Sequence, residues 1–151
     1  MEKLDPRLTD TPDDAIRILP EALNEEFVRL PADTYWWGCR YVDACKAYQE
    51  ADLLYDSTRS QIRLTIRIAA EAGSKKLTAE QVEDMLNGTV EFKKVRVARF
   101  ESELARDKLK AVCEALRAKR DCLVQLGAQE RAEMASSPHI NAAEYVNKRV
   151  G

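Results

Sequence analysis

The sequence predicts an all-α chain: an elongated antiparallel hairpin of two long helices with a short helix at the turn, oligomerising as a helical bundle or ring. Three observations carry this expectation. From Val90 to Met134 there is no proline, and no glycine before Gly127, so nothing interrupts a helix there. Apolar residues recur at steps of three and four in two separate stretches, the repeat of a helix packed lengthwise on another. Five glycines, five prolines and few β-branched runs in 151 residues leave little material for a sheet and its turns. The 33% of charged residues is high for a sphere and suits long helices.

Residues 1–34 hold nine acidic and four basic side chains and four prolines, Pro6, Pro12, Pro20 and Pro31. They read as an acidic N-terminal arm with one short helix from Pro20 to Leu30. In that helix Ala22, Leu23, Phe27 and Leu30 share a side that docks on the long helices. Residues 35–151 carry 17 acidic and 20 basic side chains, so the net charge of −2 conceals two parts of opposite sign.

The first long helix is expected to start at Asp33 or Thr34, either of which can cap it, and to reach about Ala72, with Gly73 as the stop. Its seam is Tyr41, Ala44, Tyr48, Ala51, Tyr55, Thr58, Ile62, Thr65 and Ala69. Tyr35, Trp36 and Trp37 precede it. Aromatics among charges can stack on nucleobases, whereas tyrosines at heptad spacing belong to a core or an interface; the second reading is kept. Next, Thr78 and Gln81 match a capping box, flanked by Leu77 and Val82 as a staple. The short helix ends at Asn87-Gly88, with Val82, Met85 and Leu86 on its apolar side.

The second long helix, 90–134, carries a seam of Leu109, Val112, Leu116, Leu123 and Leu126 that lacks an apolar residue at Lys119. Beside it run Leu104, Ala111, Ala115, Ala118 and Cys122. At the α-helical rise this stretch spans about 65 Å. A lone hairpin has too little volume to bury both stripes and the aromatic cluster, so a homo-oligomer is expected, with Trp36, Trp37, Tyr41, Tyr48, Leu116 and Leu123 at its interface. The hairpin core is 35–134. Residues 135–151, broken by Ser136-Ser137-Pro138, form a tail with a brief helix at 141–149.

No window approaches 18 consecutive apolar residues, and Met-Glu-Lys-Leu-Asp has no signal core, so a soluble cytoplasmic protein without a membrane partner is expected. Cys39, Cys45, Cys113 and Cys122 form no CxxC pair and read as small core residues, not as metal ligands. The single histidine, His139, lies in the tail. No glycine-rich phosphate loop, HExxH or GxSxG occurs, so no catalytic residue, metal or cofactor is expected, and the protein reads as non-enzymatic.

Arg59, Arg63 and Arg67 recur every four residues and form one row on the first long helix. Lys75 and Lys76 follow in the turn, and Lys93, Lys94, Arg96 and Arg99 open the second. Only five acidic residues lie between 57 and 100. Such a surface can hold a phosphate backbone without sequence preference, or it can be a solvated helix face. In an oligomer the patch would repeat and multiply weak contacts.

An aromatic opening, Tyr35-Trp36-Trp37 with Tyr41, leads to the basic run Arg63-Leu64-Thr65-Ile66-Arg67 before Gly73. A short helix and a long one follow, the latter with Glu114-Ala115-Leu116-Arg117 and Arg120-Asp121-Cys122-Leu123. Over about 35–134 this resembles the UvsY-type recombination mediators of tailed bacteriophages. The resemblance implies an all-helical ring that binds single-stranded DNA in a bacterial host cell. It also implies help in loading a RecA-like recombinase onto strands covered by a single-strand-binding protein. In that family DNA contact centres on a lysine and an arginine two apart; here Arg67 matches the arginine, but Thr65 stands where the lysine would be, which leaves Arg63 or Lys75 and Lys76 as substitutes. The expected nucleic-acid-binding residues are therefore Arg59, Arg63, Arg67, Lys75, Lys76, Lys93, Lys94 and Arg96. Two rival readings are a helical oligomeric adaptor that binds no nucleic acid, and a phage inhibitor that turns the acidic arm on a host protein.

Overall fold

The computed structural model describes residues 11–136. The helices are α1 (Pro12–Ile16), a 3-10 turn (Pro20–Ala22), α2 (Leu23–Ala72), α3 (Ala79–Gly88) and α4 (Val90–Ser136). Among the described residues there is no strand, and no helix is long and apolar enough to cross a membrane. Helix α2 packs against α4 as an all-α hairpin. His139 and the expected tail helix at 141–149 lie outside the described residues.

Helix α2 starts at Leu23, ten residues before the expected cap, and runs unbroken through Pro31. Proline lacks the N–H that would reach the Phe27 carbonyl, at a cost of about 3 kcal/mol in a helix interior. Pro31 and Phe27 are both exposed, so water can reach the bereft carbonyl. What carries the helix across is its buried face: Leu23, Glu26, Leu30, Asp33 and Trp37 are all buried and follow steps of three and four. This seam continues through Tyr41, Ala44, Tyr48, Ala51, Tyr55, Thr58 and Ile62. It then drifts by one residue, so Ile66 and Ala70 are half-buried while the expected Thr65 and Ala69 are exposed. Asp33, expected as a cap, is instead a fully buried seam residue within hydrogen-bonding range of Arg29, at 3.1 Å.

The C-terminus of α2 is a Schellman arrangement: the Ser74 N–H donates to the Glu71 carbonyl at 3.0 Å and the Lys75 N–H to that of Ala70 at 2.9 Å. The left-handed residue is Ser74, with φ 56°, and not Gly73. Helix α3 has the expected capping box, with Thr78 accepting from the Gln81 N–H and the Gln81 side chain accepting from the Thr78 N–H. Thr89 alone separates α3 from α4 in extended backbone.

The chain divides into two compact units. The first joins residues up to Thr34 with those from Glu114 onward. Its core holds Ala15, Leu23, Leu30, Leu116 and Leu123, so residues 15–30 of the acidic stretch supply core positions. The gap in the α4 seam is filled by Lys119, whose ammonium lies 2.6 Å from Glu26 and donates to the Ala15 carbonyl at 2.8 Å. Both charged side chains are almost fully buried, at 1% and 2% exposure. Phe27 covers Gly127, where an added Cβ would come within 3.4 Å of its ring.

The second unit, Tyr35–Cys113, has Trp37, Val82, Leu86 and Phe92 as its buried apolar residues. Between these the helix pair is only half-buried, and arginines of α4 answer the tyrosines of α2. Arg106 lies over Tyr48 at 4.2 Å and Arg99 over Tyr55 at 4.9 Å, placing each cation on the negative face of a ring. Arg99 also donates to Asp52 at 2.5 Å. The α4 seam thus reaches back to Phe92 through Val95, Arg99, Ser102 and Arg106. The second expected stripe does not join the core: Leu104, Ala111, Ala118 and Cys122 are exposed and Ala115 is half-buried.

Candidate nucleic-acid interface

The nine basic residues that the sequence groups together fall into separate environments within Tyr35–Cys113. Arg59 and Arg63, one turn apart on α2, both reach Glu83 of α3. Arg59 donates to one carboxylate oxygen at 2.9 Å and Arg63 to the other. The hydrogen bond from Arg63 and then that from Arg59 hold the Glu83 carboxyl below its usual range. Each guanidinium is thus held by a partner within the chain, although a single carboxylate balances only one of the two charges and both arginines stay a third or more exposed. Arg99 is likewise turned inward, and its pKa is raised by its bond to Tyr48 and by Asp52.

Arg67, Lys75 and Lys76 are brought together. They line one open cleft of 480 Å³ with Glu71 and the apolar side chains of Leu77 and Val82. The Schellman turn creates this geometry by reversing the chain within Gly73–Lys75, which sets the two lysines beside the last turn of α2. All three cations are exposed. With Glu71 as the sole acid in the lining the cleft is net positive, and it presents three cations to an anion beside a wall of Ala70, Leu77, Ala79 and Val82. Lys93, Lys94 and Arg96 are exposed on α4, where Lys93 and Lys94 border a different groove with Val90 and Val97.

The residues expected at an oligomer interface also separate. Trp37, Leu116 and Leu123 are buried within the chain at 4%, 1% and 0% exposure and offer no surface to a second copy. Tyr48 is occupied by Arg106. Trp36 and Tyr41 are half-buried. Arg40, which sequence reasoning passed over, lies 5.4 Å from the Trp36 ring and 5.5 Å from the Trp37 ring. Its spacing of four and three from the two tryptophans is the signal that could have found it. No disulfide joins the four cysteines; Cys39 and Cys122 are exposed and Cys45 and Cys113 half-buried, so none of them is the buried core residue expected. Hydrogen bonding to Cys39 raises the Tyr35 pKa, and Cys45 does the same for Tyr41. Among the described residues no group of three or more histidine, cysteine or carboxylate side chains converges on a point that could hold a metal ion.

Comparison of the chain with protein-family models, with curated proteins and with solved structures gives no match.

Proposed function

We propose that the protein is a non-enzymatic, homo-oligomeric mediator that binds single-stranded DNA and assists loading of a RecA-like recombinase. The observation that carries the reading is the cleft at the end of α2, where Arg67, Lys75 and Lys76 converge with a single carboxylate. Three cations of this kind hold phosphates and leave base faces untouched. A strand held by its backbone keeps its bases available to a recombinase. The resemblance supports the recombinase and the single-strand-binding protein as partners, and the cytoplasm of a bacterial host cell as the setting. Within the eight-residue set expected from sequence, Arg67, Lys75 and Lys76 are the strongest candidates, because Arg59 and Arg63 are engaged by Glu83.

That same engagement favours a second reading, a helical adaptor whose charges serve its own packing. The two separate on one measurement. The triple variant Arg67→Ala/Lys75→Ala/Lys76→Ala is expected to bind a labelled single-stranded oligonucleotide more weakly whatever its sequence. Each lost phosphate contact should flatten the salt slope by about 0.7. Helicity should be unchanged, since all three side chains are exposed. Parent and variant binding alike, with equal slopes, would overturn the DNA reading and leave the adaptor.

A further inference from the structure

The basic row of α2 is interrupted by an acid of the same chain. Arg59, Arg63 and Arg67 follow one another at four-residue steps, which sets them about 6 Å apart along one side of the helix. Arg67 lines the cleft with Lys75 and Lys76. The other two arginines meet Glu83, and each takes one of its carboxylate oxygens. Helix α3 brings the acid there: Val82 belongs to the cleft wall, and Glu83 is the next residue. The carboxylate thus stands beside the cleft, on the part of the row that the cleft leaves out.

The charges of this trio do not cancel. Two guanidinium groups face one carboxylate, so a positive charge is left over. All three side chains keep about a third or more of their surface exposed, and bridges so open to solvent are screened and weak. A carboxylate that spans two guanidinium groups offers them two oxygens, as a phosphodiester does. Phosphate and Glu83 are therefore chemical competitors for the same donors, and the carboxylate, tethered on α3, competes at a high effective concentration.

We propose that Arg59 and Arg63 are a second phosphate-binding stretch, continuous with the cleft of Arg67, Lys75 and Lys76, and that Glu83 occupies it as an internal stand-in for phosphate. The inference rests on the DNA reading of that cleft and sets a limit to it: a strand held in the cleft extends along α2 only by displacing Glu83 from the two arginines. Helix α3 does not depend on the bridges for its place. Val82 and Leu86 are buried at 4% and 0% exposure, and the capping box at Thr78 closes the start of the helix. The carboxylate can leave the arginines while the helix stays packed, so Glu83 weakens the hold on a strand without belonging to the surface that binds it.

The test is binding of a labelled oligothymidylate to the full chain across a salt series. Glu83→Gln keeps the size of the side chain and removes its charge. It is expected to bind about threefold or more tighter than the parent, with a salt slope steeper by about 0.7 for each arginine that gains a phosphate and with helicity unchanged by circular dichroism. Adding Arg59→Ala/Arg63→Ala to Glu83→Gln should abolish both gains. Asp84→Asn removes the same charge from the next residue of α3, whose side chain is exposed, and should gain clearly less. A Glu83→Gln protein that binds as the parent does overturns the proposal, as does a gain that survives loss of both arginines or is matched by Asp84→Asn. In those cases a weaker Arg67→Ala/Lys75→Ala/Lys76→Ala variant shows that the cleft still holds DNA and that this inference alone has failed. If neither the parent nor Glu83→Gln binds the strand, both fall.

Discussion

The two units handle charge in opposite ways. In the unit that joins the N-terminal residues to the end of α4, Lys119 and Glu26 are sealed from water and occupy seam positions that an apolar pair would normally take. In the unit from Tyr35 to Cys113, the bridges of Arg59 and Arg63 to Glu83 and of Arg99 to Asp52 remain about a third or more exposed. A buried pair must offset a large desolvation penalty, and removing one partner strands the other. An exposed pair is screened by solvent and is worth little by itself. The first arrangement fixes which residues of α2 and α4 face each other; the second trims the position of α3 and keeps the basic side chains near water.

The comparison is most exposed to failure at Lys119. Replacing it with methionine leaves buried Glu26 with only the longer contact from Arg29 at 3.4 Å and removes the donor to the Ala15 carbonyl. The expected loss is about 3–5 kcal/mol by chemical denaturation. Glu26→Leu/Lys119→Leu should recover most of it, because a buried pair exchanged for apolar residues of similar size is often neutral or stabilising. Near-parental stability in Lys119→Met would mean that the pair is not sealed as described. A smaller effect is expected in the other unit, at Glu83. Its folded pKa is lowered, so the stabilisation from Arg63 and Arg59 is fully present above the ordinary carboxylate pKa of about 4. It disappears as the pH falls through the lowered value. The Tm advantage of the parent over Glu83→Gln should therefore shrink on acidification, and an advantage independent of pH would remove the two bridges as its source.

The same contrast explains what was legible in the sequence. The hairpin, the capping box at Thr78 and the extent of α4 follow from periodicity and punctuation, which are local. The start of α2 was not legible, because two of its first buried positions are Glu26 and Asp33 and a pattern search for apolar residues breaks there, next to Pro31. Lys119 registered as a gap for the same reason. In part they are one event seen from two helices: Glu26 on α2 answers Lys119 on α4, a pair that no single-helix pattern can show, whereas Asp33 lies against Arg29 of its own helix. The basic cluster was legible as composition, but its division was not, because Glu83 lies 20 residues and more from the arginines it binds. At 65 and 69 the expected seam kept a 3.5-residue period, while the helix follows 62, 66 and 70.

The smallest expected effects compare one glycine in each unit, both inside long helices. Alanine is favoured over glycine in a helix interior by about 1 kcal/mol. At Gly38 nothing lies within 4 Å of an added Cβ, so Gly38→Ala should gain most of that amount. At Gly127 the new methyl would meet the Phe27 ring at 3.4 and 3.5 Å, the near edge of ordinary contact, in a site that is already buried. Any shift of Phe27 there would offset part of the propensity gain, so Gly127→Ala should stabilise less than Gly38→Ala. Paired denaturation curves measure the difference directly. If Gly127→Ala gains as much as Gly38→Ala, the packing of Phe27 on α4 is loose enough to admit a methyl group without loss.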